Sequence, residues 1–277
     1  MKTKIEWTDA VWNPVTGCDK VSAGCKNCYA ERVAGRFWKD RKFTDVRCHP
    51  ERLDQPLRWK KPRRVFVNSM SDLFHQDVPT EFIYEVFEIM AKSKQHTFQV
   101  LTKRPERMAF LLNEGRMGHI LWRNNTGIET PLLNVWLGVS VEDQKSFYER
   151  VPYLLNTPAA IRFLSCEPLL EQINLDIPTS TSGKNLIHWV IAGGESGPGA
   201  RPCKDTWIES IIDQCKGFDI PVFVKQLGSN IKFCICMDDD EKTVLVESHK
   251  KYMNISHPKG GDIDEWPEHL RIREFPI

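Results

Sequence analysis

Arg64-Val-Phe-Val-Asn-Ser-Met-Ser-Asp72 is a short β-branched and aromatic run that stops on small polar residues and a carboxylate. Its first half reads as a buried strand, and its second half as a strand end that faces a site. The same pattern recurs along the chain. Thr97–Thr102 leads to Lys103 and Arg104, Asn134–Ser140 to Glu142 and Asp143, and Ala160–Ser165 to Cys166 and Glu167. Ile187–Ala192 leads to Gly193, Gly194 and Glu195, and Ile220–Lys225 to Gln226. A further strand is expected just before Cys18. Three intervening stretches carry helical periodicity: Pro79 to Lys94, with Phe82, Val86, Phe87, Ile89 and Met90 near one face; Glu142 to Leu155; and Asp205 to Cys215, with Trp207, Ile208, Ile211 and Ile212 inward.

Strand and helix alternating in this way predict an α/β protein with parallel strands joined by crossover helices. About seven such units fit a complete or partial (β/α) barrel, with a doubly wound open sheet as the competing arrangement. The polar strand ends favour the barrel, because there every C-terminal strand end converges on one face. Residues 1–228 are assigned to the barrel and residues 229–277 to a C-terminal extension. That extension is expected to form a hairpin over Phe233–Val246, split by Asp238-Asp239-Asp240, and then a cover over one barrel edge or mouth.

With 41% hydrophobic residues in 277, the chain can bury a large core. Lys and Arg total 38 against 37 Asp and Glu, which argues against a wholesale polyanion-binding surface and leaves room for local basic patches. Two patches stand out: Arg58, Lys60, Lys61, Arg63 and Arg64 around Trp59, and Lys103, Arg104 and Arg107. No apolar run approaches the ~20 residues that span a bilayer, so no membrane is expected. The Met-Lys-Thr-Lys start carries no apolar export segment and the nine cysteines are an odd number, so a reducing cytoplasm is the expected home.

Three of those cysteines share one loop, Thr16-Gly-Cys18-Asp-Lys-Val-Ser-Ala-Gly-Cys25-Lys-Asn-Cys28-Tyr29. Three thiolates can hold three corners of a cubane iron–sulfur cluster and leave the fourth iron open to a small molecule. Zinc is the competitor, with Cys48 or His49 as a fourth ligand. Against zinc stand the absence of a second close cysteine pair and the glycines at 17 and 24, which suit a wrapping loop. Cys203, Cys215, Cys234 and Cys236 are read as structural and are expected to bind no metal, since only a strand-like Cys-x-Cys supports them. Gly193 to Gly199 lacks the Lys-Ser/Thr of a phosphate loop and is read as a cofactor turn in preference to a plain one. Cys166 reads equally as a hydrogen-atom donor or a lining residue. His75 and His96 read as polar-surface or core-edge residues, and His188 as packed within a strand.

With these residues in hand, the chain resembles the radical S-adenosylmethionine enzymes: a three-cysteine loop after the first strand, then a (β/α) barrel with polar strand ends. More narrowly, Ile5-Glu-Trp-Thr-Asp-Ala-Val-Trp-Asn-Pro-Val-Thr-Gly-Cys18, Cys25-Lys-Asn-Cys28-Tyr-Ala-Glu-Arg32 and Lys259-Gly-Gly-Asp262 to Trp266-Pro-Glu are similar to a phage-associated branch. The similarity runs from residue 5 to residue 276. The branch places six residues between its first two cysteines, where the superfamily usually has three. The resemblance implies a [4Fe-4S] cluster on Cys18, Cys25 and Cys28, with S-adenosyl-L-methionine chelating the open iron. It also implies an electron donor such as flavodoxin or ferredoxin. By position, Ser69, Ser71 and Asp72 match the contact to the cofactor's amino group, and Ser140 and Glu142 the ribose contact. Gly193, Gly194 and Glu195 match contacts to the adenosyl part, and Tyr29 a place beside the adenine. Cys166 and Glu167 are the catalytic candidates.

The branch is linked to hypermodification of DNA bases, including rearrangement of an amino-acid-decorated thymine, so a thymine-derived base in DNA is the leading substrate. RNA or a small molecule is the alternative. A duplex base must be flipped to reach a buried site, and Trp59 with its basic neighbours is a candidate backbone grip. The competing functional class is a zinc- or cluster-stabilised nucleic-acid-binding module without catalysis.

Overall fold

The computed structural model describes residues 3–113, 131–180, 183–236, 243–244 and 255–276. The strands are Ala10–Trp12 (β1), Val15–Thr16 (β2), Arg47–Cys48 (β3), Arg64–Val67 (β4), Thr97–Thr102 (β5), Val135–Ser140 (β6), Ile161–Cys166 (β7), Trp189–Gly193 (β8), Cys203–Lys204 (β9) and Val222–Gln226 (β10). The helices are Tyr29–Phe37 (α1), Thr80–Lys92 (α2), Pro105–Asn113 (α3), Gln144–Leu155 (α4) and Asp205–Gly217 (α5). Seven strands form one sheet in the order β1-β4-β5-β6-β7-β8-β10. Each strand lies beside its predecessor in the sheet, whereas a doubly wound sheet reverses direction at a switch point. The protein is therefore α/β with the strand order of a partial (β/α) barrel, its ladder ending at β1 and β10.

Every strand expected from the repeated pattern is present within two residues of its expected bounds. The first strand is the exception. β2, directly before Cys18, pairs antiparallel with β3 and does not join the main sheet, which instead begins at β1. Pro14 explains the break, because it removes a ladder donor after Trp12. Asn68, held at a left-handed φ of 62°, takes the Val15 N–H on its Oδ1 at 3.2 Å and so turns the chain out of the sheet.

The chain divides into two compact units. Residues 1–140 with 149–163 form the first. In it β1, β4, β5 and β6 pair in parallel, with Ala10 opposite Val65, Val65 opposite Phe98 and Phe98 opposite Val135. Val65, Val67, Phe98, Val100, Val135 and Leu137 are buried, as a sheet covered by crossover helices requires. α2 buries Phe82, Ile83, Val86, Phe87 and Met90, a helical stripe at three- and four-residue spacing, while Ile89 lies only half-buried.

Residues 141–148 with 164–277 form the second unit. β8 is buried at every position and pairs in parallel with β10. α5 buries Ile208, Ile211, Ile212 and Cys215. Trp207, expected inward, lies half-buried beneath the Lys204 ammonium, 5.5 Å from its ring. The C-terminal tail covers an edge, that of β10: Val224 N–H donates to Ile272 O and Glu274 N–H to Val222 O, both at 2.9 Å. Trp266, 1% exposed, fastens this tail through Nε1–H to Gly260 O at 3.0 Å. β11 (Ile231–Lys232) pairs with β9, and the expected hairpin appears as β12 (Ile235–Cys236) antiparallel to β13 (Thr243–Val244). Its Asp238-Asp239-Asp240 turn and the Cys236 side chain lie outside the described residues.

Gly194 is set by close packing. A Cβ there would lie 2.3 Å from Leu227 O and 2.9 Å from the Gly228 Cα, both backbone atoms that cannot step aside cheaply. Gly194→Ala is expected to lower stability by about 2 kcal/mol, the cost of overpacking. Chemical denaturation checks it, and an unchanged midpoint would mean that the β10 end yields to the methyl.

Candidate active site

In the first unit, residues 17–46 form an excursion whose neck is the β2–β3 pair, and all three loop cysteines lie on it. Gly17 starts it at a φ of +96°, and a Cβ there would meet Asp45 O at 2.5 Å, so glycine is required twice over. Cys18 N–H donates to Phe43 O at 2.9 Å, which ties the start of the excursion to its return. Ser69 and Ser71, matched by resemblance to a cofactor contact, fasten the stem in this structure. Ser69 Oγ–H donates to Asn13 Oδ1 at 3.2 Å and Ser71 Oγ–H to Val15 O at 2.9 Å. Cys28 caps α1, and Tyr29, the first residue of that helix, is 54% exposed.

Asp72, 6% exposed, is the hub beside this stem. Its Oδ1 accepts from Thr102 Oγ1–H at 2.7 Å and Phe74 N–H at 3.0 Å. Its Oδ2 accepts from Lys103 N–H at 3.0 Å and Arg104 Nη1–H at 3.2 Å. Arg104 also directs Nη1–H at Cys18 Sγ, 3.5 Å away, and donates through Nη2 to Asp19 Oδ1. His75, 1% exposed, brings Nε2 within 3.1 Å of the same Asp19 oxygen. Burial, then the Asp72 charge, pushes the Cys18 thiol up to about 11, while the Arg104 guanidinium pulls it down. Burial acts against the Arg104 charge as well, yet Asp72, Cys18 and Asp19 together hold it above its usual value.

Sequence reasoning missed two members of this cluster. His75, expected at a surface or core edge, is buried against Asp19. Arg104 was visible only as one of three basic residues, and its role follows from standing two residues after Thr102, at the end of β5. The third of those residues, Arg107, ties down backbone by donating to His75 O and, at 2.7 Å, to Val78 O. Residues 58–64 sit at the N-terminal end of β4, whereas the stem of the cysteine excursion meets the C-terminal end. Arg58 is ion-paired to Asp54 and Arg64 to Asp9, Arg63 lies 5.2 Å over the Trp59 ring, and that ring packs on His96. The patch expected to grip a nucleic-acid backbone beside the cysteines therefore lies at the opposite end of its strand.

Ser140, which ends β6 in the first unit, is buried, and its carbonyl accepts from Arg150 Nη1–H at 2.7 Å. In the second unit, Glu142 is fully buried, with its N–H donating to Ser146 Oγ at 3.0 Å and its carbonyl accepting from Leu170 N–H at 3.0 Å. Glu195 is gripped by Arg201, through Nη2 at 2.5 Å, Nε at 3.0 Å and the backbone N–H at 2.9 Å. Such a bidentate pair fixes the carboxylate's orientation. Gly193 and Gly194 lie against the chain at Gln226 and Leu227, so a packing need accounts for both. Glu167 accepts from Ser165 Oγ–H at 3.4 Å and pairs with Lys225 Nζ at 3.1 Å.

β7 ends at Cys166, whose side chain takes the strand face opposite Ser165, while Ser165 Oγ meets the Glu167 carboxylate that follows the strand. Cys166 is fully buried, and burial, with Cys215 of α5 nearby, raises its thiol far above the usual range. Cys203 and Cys215 are likewise buried, each pushed up to about 12 by burial, and Cys234 sits by Thr206 Oγ1 at 3.8 Å.

Among the described residues, no group of three or more His, Cys, Asp or Glu side chains surrounds a single metal-ion position. A mononuclear zinc centre needs its ligands around one point, whereas a cubane takes one thiolate per iron. Three thiols on one loop are donors that either centre could use. Cys18, Cys25 and Cys28 are free and half-buried. Cys25 adds to the upward push on Cys18, and Lys20, paired to Glu31 at 2.9 Å, is raised first by that partner and then by Cys28 and Cys25. No described helix is long and apolar enough to cross a membrane.

No curated protein and no solved structure matches the chain. A family model does match over residues 2–260, and the chain accordingly belongs to the DUF5131 family, described as a protein of unknown function.

Proposed function

We propose that the protein is a radical S-adenosylmethionine enzyme whose Cys18, Cys25 and Cys28 hold a [4Fe-4S] cluster, and that it modifies or rearranges a thymine-derived modified base in DNA. The observation that carries this is the donor set: three free thiols on one neck-closed excursion, with the Arg104 N–H directed at Cys18 Sγ. Held by Cys18, Cys25 and Cys28, the cluster with its cofactor would supply one-electron, hydrogen-abstracting radical chemistry toward the substrate.

The chain's own residues bind, orient and exclude water. Arg104 donates to the Cys18 sulfur, a second-layer bond that tunes a thiolate ligand, and Asp72 holds Arg104 in place. Glu142 and Glu195 are the carboxylates assigned to hydroxyl and amino groups of the cofactor, and Arg201 orients the second of them. Glu167, just after β7 and paired with Lys225, keeps its catalytic assignment, while the fully buried Cys166 is read as a lining residue. The electron comes from a donor of the flavodoxin or ferredoxin kind.

The anaerobically reconstituted, reduced protein is expected to be brown and to form 5′-deoxyadenosine and methionine from S-adenosylmethionine. Glu142→Ala should weaken cofactor binding and leave iron content unchanged. Cluster-replete protein that neither binds nor cleaves the cofactor would sink the enzyme assignment. Colourless protein with one zinc per chain would favour a nucleic-acid-binding module. Mass analysis of nucleosides from DNA made with and without the gene identifies the base.

A further inference from the structure

We infer that the 36–42 segment of the cysteine excursion, through Arg36, Phe37, Lys39 and Lys42, is a docking surface for single-stranded or flipped-out nucleic acid. The inference deepens the proposed function and rests on its choice of a nucleic-acid substrate. The run is Arg36-Phe-Trp-Lys-Asp-Arg-Lys42, four cations and two aromatic rings against one carboxylate. The structure divides it into two sets. Trp38 and Arg41 hold the excursion together: the Arg41 guanidinium lies 3.9 Å over the Trp38 ring and donates to Thr16 O at 3.1 Å and Asp45 O at 2.8 Å. The remaining five residues, Arg36, Phe37, Lys39, Asp40 and Lys42, face water, three cations and a ring against the single carboxylate. Arg36, Lys39 and Lys42 are exposed and take part in no ion pair among the described residues, unlike Arg47 and Lys20 nearby, which are paired to Asp45 and Glu31.

Phe37 decides the matter. It is 75% exposed at the end of α1, where a lysine or arginine would serve the helix dipole better and a phenylalanine leaves an apolar ring in water. Cations without carboxylate partners, set around an exposed ring, are what a strand of phosphates and unstacked bases requires: lysines and arginines for the backbone and an aromatic face for a base. The surface lies on the same excursion as the three cysteines. The patch at 58–64, by contrast, has its arginines partly neutralised and lies at the other end of β4.

Fluorescence polarisation of a labelled single-stranded oligonucleotide on the full, reconstituted chain tests this. Three phosphate contacts predict a log–log salt slope of about −2, so affinity should fall roughly 20-fold between 50 and 200 mM salt. The charge-reversed variant Arg36→Glu/Lys39→Glu/Lys42→Glu should lose at least about tenfold in affinity, and Phe37→Ala about tenfold through the lost stacking contact. Lys60→Glu/Lys61→Glu should bind as the wild type does. Iron content and thermal midpoint, measured on each variant, show that it has folded and loaded. Unchanged binding in both excursion variants, or loss confined to the 60/61 variant, would overturn the assignment. So would binding of polyglutamate as tight as that of the oligonucleotide and indifferent to Phe37→Ala, which would make the surface a dock for an acidic protein. Formation of 5′-deoxyadenosine without any oligonucleotide is scored separately. Its loss with docking intact removes the enzyme assignment alone, and the reverse removes the docking surface alone.

Discussion

Cys18→Ala, Cys25→Ala and Cys28→Ala are each expected to lower reconstituted iron from about four per chain to below about one, and to abolish 5′-deoxyadenosine formation. Three thiolates are the smallest set that holds a cubane while leaving an iron open, so no member is spare. Cys48→Ala is the informative control. Cys48 lies in β3 at the neck, opposite Val15, where a fourth zinc ligand was the competing assignment. A cluster enzyme should keep its iron and colour in that variant. Iron, sulfide and zinc analysis on the four proteins settles the ligand set: full iron retention in a loop-cysteine variant removes that residue, and zinc lost on Cys48→Ala replaces the cluster with a zinc site.

Asp72→Ala is expected to lower the free energy of unfolding by about 4 kcal/mol, more than Arg104→Ala, for which about 1 kcal/mol is expected. The asymmetry follows from the hydrogen-bond count at each partner. Without Arg104, the Asp72 carboxylate still accepts from Thr102, Lys103 and Phe74. Without Asp72, a largely buried guanidinium and two backbone N–H groups lose their acceptor at once, leaving Asp19 as the remaining carboxylate. Urea denaturation followed by fluorescence and circular dichroism, with coincident transitions, measures both. Equal costs would show that the Asp72–Arg104 pair, and not the Asp72 carboxylate by itself, organises the cluster.

The difference between those two residues also shows where the sequence was legible. Strands such as Thr97–Thr102 were readable because β-branched and aromatic residues crowd into short runs closed by polar residues, a signal that needs no partner. The sheet's first strand was harder. Ala10–Trp12 is only three residues long, and Pro14 and Asn68 act together to turn the chain aside before Cys18, a contact between residues far apart in sequence. That the three cysteines share one loop was plain from their spacing, and the structure keeps them on one excursion closed by the β2–β3 pair. Arg104 and His75 were not plain, because each acts through Asp19, and nothing local marks a side chain that reaches across more than fifty positions. Cys166 read equally as a hydrogen-atom donor or a lining residue, because a strand-end cysteine carries no local signal of its burial, which here is complete.

The paired neck formed by Val15–Thr16 and Arg47–Cys48 has a consequence for how this kind of site can diverge. An insert whose two ends are already held side by side changes length cheaply, since doubling a flexible loop costs only about 0.6 kcal/mol of closure entropy. Six residues between the first two cysteines, where the proposed superfamily usually has three, would therefore be a small thermodynamic step. Selection can lengthen, recharge or redecorate the segment between Gly17 and Val46 while the strands beneath it keep their register.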